Sequence, residues 1–239
     1  MTDRTFLLFN HKTKIIMIVP KVKICCILNS KEAELAISMG ASAVGLVSEM
    51  PSGPGVISEE EIKDIVKYVN NRADTFLLTS KQNVTEIIEQ LKKCNPSTVQ
   101  IVDKILDGNY NDIRNECPDI KIVQVLHVIE EDDIQEAINI SHEVDAILLD
   151  SGNQNLAVKE LGGTGRVHDW SISKKIVDSV KIPVYLAGGL NPENINEAIK
   201  SVRPFGIDIC SGVRSEGKLS KSKLSTFFSE INSISSAYE

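Results

Sequence analysis

The strongest constraint on this chain is a rhythm. From about residue 22, short apolar runs rich in β-branched residues alternate with longer amphipathic ones. Such alternation is the pattern of βα units laid around a parallel sheet. Strand-like runs start near Val22, Ala43, Asp74, Thr98, Lys121, Val144, Ile182 and Gly206. Eight starts at a mean spacing of about 26 residues leave room for one strand, one helix and two short loops per unit, the content of a (β/α)8 barrel. The expected fold is therefore α/β, a single (β/α)8 TIM barrel spanning residues 21–239. A doubly wound open sheet uses the same alternation but wants a Gly-rich turn after its first strand. Here that turn reads Ile24-Cys25-Cys26-Ile27-Leu28-Asn29, so the barrel ranks ahead.

Helix signals fall between the strands. Ser30 to Met39 stops at Gly40, and Ser58-Glu59-Glu60-Glu61 offers a Ser N-cap with a Glu three residues later, the pattern of a capping box. Asn191-Pro192-Glu193-Asn194 predicts another helix start with Pro at its first position. Ile62, Ile65, Val66 and Val69 form one apolar stripe, and Ile195, Ala198, Ile199 and Val202 a second, as helices packed on the outside of a barrel require. Residues 1–20 read as a loosely ordered N-terminal extension, or as a start codon placed too early. The run from Phe6 to Pro20 has some signal-peptide character, yet Asn10, His11, Lys12 and Lys14 interrupt it.

Composition removes several function classes. A net charge of -7, without a long basic run, would repel a nucleic-acid backbone. The apolar runs fall well short of the ~20 residues that cross a bilayer. Cys25, Cys26, Cys94, Cys117 and Cys210 are odd in number and contain no CxxC pair. They argue against a disulfide framework or a zinc site and imply a reducing, cytoplasmic compartment.

In such a barrel the chemistry gathers where the strands end. The apolar runs stop at Cys25 or Cys26, near Gln100 and Asp103, at His127, at Asp150, at Gly188-Gly189 and at Ser211-Gly212. The two glycine-bearing loops after strands seven and eight let backbone amides approach a phosphate closely, which points to a phosphorylated small molecule. The plainer alternative is that these glycines only make tight turns.

The stretches Val22-Lys23-Ile24-Cys25, Leu148-Leu149-Asp150-Ser151, Leu161-Gly162-Gly163-Thr164-Gly165, His168-Asp169-Trp170, Leu186 to Asn194 and Val202 to Asp208 together resemble the phosphoribosylanthranilate isomerases of tryptophan biosynthesis, over residues 22 to 230. The resemblance implies an isomerase that needs neither metal nor cofactor, a monomer or homodimer acting on a small phosphoribosyl substrate by an Amadori rearrangement. It further implies Asp150 as general acid and Cys25 as general base, with Gly188, Gly189, Ser211 and Gly212 around the phosphate. Lys23, Gln100, His127, Gly163 and Arg166 are further candidate contacts, Lys23 being able to lower the Cys25 pKa. Without the resemblance, Cys25 would read as a small buried hydrophobe and Asp150 as the N-cap of the sixth helix.

Three departures from the family pattern stand out. Cys26 occupies the place of a glycine, and of two adjacent strand thiols only one is expected to face the mouth. Gly55 stands where the family carries an arginine for the substrate's anthranilate end, within Met50-Pro51-Ser52-Gly53-Pro54-Gly55-Val56-Ile57-Ser58. Gln100-Ile101-Val102 and His127 also differ from the family's Gln-Leu-His and arginine. These changes motivate two alternatives: an isomerase for another phosphoribosyl amine, and a non-catalytic barrel that binds a phosphorylated metabolite. Arg166 and His168, on a loop able to close over the ligand, read first as solvated loop residues and second as sources of the missing cation; Asp169 is expected to cap the next helix, with Trp170 packing beside it.

Overall fold

The computed structural model describes residues 19–152 and 169–236. Eight strands close into one parallel barrel in chain order: β1 Lys21–Ile24, β2 Ala43–Val47, β3 Asp74–Thr79, β4 Thr98–Ile101, β5 Lys121–His127, β6 Ala146–Asp150, β7 Val184–Leu186 and β8 Gly206–Ile209. β8 returns to β1 with Lys23 opposite Asp208 and Ile24 opposite Ile209. Around them lie α1 Ser30–Ser38, α2 Glu59–Val69, α3 Val84–Cys94, α4 Tyr110–Glu116, α5 Asp133–Ile140, α6 Trp170–Ser179, α7 Ile195–Val202 and α8 Lys221–Ser236. The expected single (β/α)8 barrel is what the chain forms. Of the proposed N-terminal extension, residues 1–18 lie outside the described residues.

Side-chain alternation along the strands divides the apolar residues into two cores. One lies between sheet and helices and takes in Ile24, Val44, Leu46, Leu77, Ile147 and Ile207 with the helix stripes, including Ile62, Ile65 and Val69 of α2 and all four predicted residues of α7. The other fills the barrel interior with Ala43, Phe76, Leu78, Val123, Val125, Leu148 and Tyr185. Tyr185 packs edge-on against Phe76 at 5.8 Å between ring centroids. It fits because Gly206 lacks a side chain: a Cβ there would lie 2.4 Å from the Tyr185 ring.

Local signals set most helix starts. Ser58 and Glu61 form the capping box ahead of α2, and Asn29, Asn83 and Asn109 accept from the first-turn amides of α1, α3 and α4. Asp169 caps α6, as its sequence context predicts. The seventh helix departs from expectation. It begins at Ile195, not at Pro192, because Asn191 accepts from the amides of Glu193 and Asn194 and closes a separate turn first. Among the described residues no helix is long and apolar enough to cross a membrane.

Candidate active site

At the C-terminal end of the barrel opens a cavity. Its wall includes Cys25, Cys26, Gln100, Asp150, Gly188, Gly189, Asp208, Cys210 and Ser211. Sequence reading placed most of these at strand ends, and closure of the sheet brings them onto one rim.

Cys25 is held from both sides. Its amide donates to the Ile209 carbonyl at 2.8 Å, extending the β1–β8 ladder by one residue. Its sulfur fills the space left by Gly45, where a Cβ would meet Cys25 Sγ at 2.8 Å and Lys23 Nζ at 3.0 Å. Lys23 therefore does not reach the cavity. It is fully buried beneath it, bonded to Asp208 Oδ2 at 2.8 Å and set over the Phe76 ring at 5.3 Å. Burial alone would depress its ammonium, but the Asp208 carboxylate outweighs burial and holds it above the usual lysine range. Lys23 thus stays charged next to the Cys25 side chain, paired with Asp208.

The expectation that only one of the two adjacent thiols faces the mouth is corrected. Regular strand geometry stops at Ile24, and Cys26 takes a left-handed backbone, φ 61°, so that both sulfurs line the cavity. This conformation costs a side-chain-bearing residue about 1–2 kcal/mol. Arg214 clamps the turn: Nη2 donates to the Cys25 carbonyl at 3.4 Å and to the Cys26 carbonyl. Glu32 then holds Arg214 through contacts of 2.9 and 3.2 Å, and accepts from the amides of Leu28 and Leu219. Burial would raise the Glu32 carboxyl, yet Arg214 and these amides keep it below the usual carboxylate range. Arg214 and Glu32 lie 182 residues apart, and no local pattern links them in the sequence.

Asp150 ends β6, and its register partner on β5 is His127. It does not cap the sixth helix, a task that falls to Asp169. Burial raises the Asp150 carboxyl above its ordinary value, against the lowering influence of His127 and of the Ser151 amide at 2.7 Å. His127 is absent from the cavity wall. Its Nε2 lies 3.3 Å from the Val102 carbonyl oxygen, and its Nδ1 is buried without a partner.

The loops after β7 and β8 interlock. Gly188 has φ 83°, and a Cβ there would meet Ser151 Oγ at 2.8 Å; a Cβ on Gly212 would meet the Leu190 carbonyl at 2.2 Å. Gly212 serves this backbone contact and is not itself part of the cavity wall. The amides of Gly188, Gly189, Ser211 and Gly212 donate to no acceptor among the described residues. Two wall atoms are likewise buried and unpartnered, Gln100 Oε1 and Asp208 Oδ1. Unpaired polar groups at a cavity wall are ready to bond a polar ligand. Asp208 escaped the sequence reading as a site residue, although its place one residue before the end of β8, in alternation with Gly206 and Cys210, marks it as inward-facing.

The polar and loop-borne part of the wall continues with Met50, Ser52, Gly53 and Pro54 after β2, and apolar strand residues such as Leu78, Val102 and Leu148 complete it. Gly55 stands beside it, packed on Cys26: a Cβ on Gly55 would lie 2.5 Å from the Cys26 Cβ. Among the described residues of the cavity wall there is no lysine or arginine. Gly163, Arg166 and His168 lie outside the described residues.

Comparison with known proteins agrees with this geometry. The family model described as N-(5'-phosphoribosyl)anthranilate isomerase matches residues 22–230. An N-(5'-phosphoribosyl)anthranilate isomerase of Methanosarcina acetivorans is 34% identical over 225 residues, covering 88% of this chain and 92% of its own. A crystal structure of the Thermotoga maritima phosphoribosyl anthranilate isomerase superposes with a TM-score of 0.75 at 28% identity, over 90% of this chain and 99% of that one. A phosphoribosyl anthranilate isomerase in complex with reduced 1-(o-carboxyphenylamino)-1-deoxyribulose 5-phosphate gives a TM-score of 0.72 at 26% identity, with the same coverage. The match over nearly the whole barrel, on a rim that carries a thiol, a raised carboxyl and two glycine loops, places this chain in the phosphoribosylanthranilate isomerase family.

Proposed function

We propose that the chain catalyses the isomerisation of N-(5-phosphoribosyl)anthranilate to 1-(2-carboxyphenylamino)-1-deoxyribulose 5-phosphate, with Asp150 as general acid and Cys25 as general base. The observation that carries the assignment of roles is the pairing, on one cavity wall, of a carboxyl raised by burial with a thiol next to a buried cation. A raised carboxyl holds its proton closer to neutrality, as an acid needs, and a thiolate is the form of cysteine that accepts one.

The reaction then follows from the geometry. Asp150 delivers its proton to the ribose ring oxygen as the bond from C1 to that oxygen breaks, which opens the ring to a protonated Schiff base. Cys25 removes the C2 proton, and the electron pair of that bond neutralises the imine nitrogen to give an enolamine. Tautomerisation to the ketone completes the Amadori rearrangement. The amides of Gly188, Gly189, Ser211 and Gly212, without an acceptor among the described residues, suit the phosphate, and Gln100 Oε1 and Asp208 Oδ1 suit the sugar hydroxyls.

A second reading, an isomerase for another phosphoribosyl amine, is favoured by one observation. Gly55 cannot supply a cation for an anthranilate carboxylate, and no described wall residue supplies one in its place. Loss of anthranilate fluorescence when the protein meets phosphoribosylanthranilate generated in situ separates the two. Multiple turnovers support the anthranilate substrate; a folded, phosphate-binding protein without turnover overturns it and leaves the other amines.

A further inference from the structure

Three sulfurs meet at the mouth of the cavity, and the mechanism uses only one. Cys210, in the turn after β8, is partly exposed, and its Sγ lies 2.7 Å from Cys26 Sγ. That separation is within about 0.7 Å of a disulfide bond length. Cys25 lies on the same cavity wall. The trio does not have the arrangement of a metal site, since no group of three or more His, Cys, Asp or Glu among the described residues does.

The two thiols of the close pair are not equivalent. Hydrogen bonding to Cys210, the neighbouring Cys25 side chain and burial push the Cys26 thiol up. The Cys26 hydrogen bond pulls Cys210 down, and Arg214 adds to this against the effect of burial. One sulfur is thus suited to be the nucleophile and its neighbour to be the resolving thiol, the arrangement of an oxidation-sensitive pair. Cys94 shows the opposite environment. It donates to the Glu59 carbonyl at 3.6 Å and burial pushes it up to about 11, which leaves it inert.

We propose that Cys26 and Cys210 are a redox modification site, forming a reversible disulfide across the cavity mouth on exposure to a peroxide. The Cys210 thiolate attacks a peroxide oxygen, the O–O bond breaks, and water leaves from hydrogen peroxide, or an alcohol from an organic peroxide. The Cys210 sulfur becomes a sulfenic acid. Cys26 sulfur then displaces the hydroxyl as a second water, which carries away the Cys26 proton. Two thiols are oxidised by two electrons and one peroxide is reduced; a dithiol reverses the bond by exchange and leaves as its own cyclic disulfide. The bond joins the left-handed turn after β1 to the turn after β8, and Cys25 stays outside it. This pairing is separate from a structural disulfide framework and does not rest on the isomerase assignment.

Intact-mass measurement and thiol alkylation under denaturing conditions, after treatment with hydrogen peroxide, test the proposal. The expected result is loss of two hydrogens, three alkylated cysteines where the reduced chain has five, and a cross-linked peptide joining Cys26 to Cys210, all reversed by dithiothreitol. Cys26→Gly and Cys210→Ser, each confirmed folded by circular dichroism, should retain all five thiols less the one replaced. Oxidised protein that keeps five alkylatable thiols, oxygen adducts without a cross-link, or a cross-link that includes Cys25 would each overturn the proposal.

Discussion

The rim of this barrel has two halves built on different terms. One half runs from β6 through β8 to the end of β1, and backbone contacts fix its functional groups. Asp150 is still in strand, Cys25 is held by the Ile209 carbonyl, and neither Gly188, against Ser151, nor Gly212, against the Leu190 carbonyl, has room for a Cβ. The other half is the loop after β2, where Met50 to Pro54 carry no regular strand and Val56 is exposed. Acid/base chemistry needs atoms held to fractions of an ångström, and the proposed roles put it where the sheet fixes them. On the same proposal, recognition of the amine part falls to loop side chains, which change at small cost to the fold.

Five substitutions, in four experiments, sharpen that contrast. The largest effect is expected on the clamped half. Arg214→Met leaves the half-buried Glu32 carboxylate without its cation and removes the clamp on the Cys25 and Cys26 carbonyls. Chemical denaturation should show a loss of about 3–5 kcal/mol at neutral pH. Because the folded-state value of Glu32 is depressed, its stabilisation is fully present above the unfolded carboxylate value of about 4.3 and is lost as pH falls through the folded value. The gap between wild type and variant should therefore narrow in acid. An undiminished gap at low pH would assign the effect to packing alone.

Next in size is Gly212→Ala, whose new Cβ must displace the Leu190 carbonyl. A stability loss of about 1–3 kcal/mol is expected, with KM for the phosphorylated substrate raised more than kcat is lowered. An unchanged KM would separate the interlocked loops from phosphate binding.

Across the boundary between the halves, Cys26 and Gly55 compete for one space. Gly55→Arg alone should destabilise the chain, and Cys26→Gly in the same molecule should relieve it. A double-mutant cycle is expected to return a coupling of about 0.5–3 kcal/mol. The two departures from the family pattern are then one exchange, a side chain lost at 55 and gained at 26. Additive effects would break that link.

The smallest expected effect is a gain. Burial raises the Asp150 carboxyl, so its charged form weakens the fold at every pH above its folded value, and the penalty disappears below its unfolded one. Asp150→Asn should therefore be more stable at neutral pH, by an amount on the order of 1 kcal/mol, and no more stable in strong acid. A destabilised variant at neutral pH would contradict the burial argument.

Legibility in the sequence followed the same division. Strand runs, the capping box at Ser58 and the strand-end positions of Cys25 and Asp150 were readable because period, cap chemistry and strand termination are local. Eight regular units then placed those strand ends on a common rim. The burial of Lys23 had no local signal because its partner, Asp208, is brought opposite only when β8 closes on β1. Cys26 defied the alternation rule because its backbone leaves the strand at a left-handed turn. The clamp of Arg214 and Glu32, and the close approach of Cys26 to Cys210, join opposite ends of the chain and carry no local pattern.

The central claim is that Cys25 and Asp150 perform the proton transfers. Its most direct test is the pre-steady-state rate of fluorescence loss for wild type, Cys25→Ser and Asp150→Asn on phosphoribosylanthranilate, with affinity for the reduced product analogue measured on the same preparations. The account predicts a fall of about 10²–10⁴ in rate for each variant with affinity within about threefold of wild type, since neither residue is assigned to phosphate binding. A variant that keeps its rate within about tenfold of wild type while binding normally would contradict it.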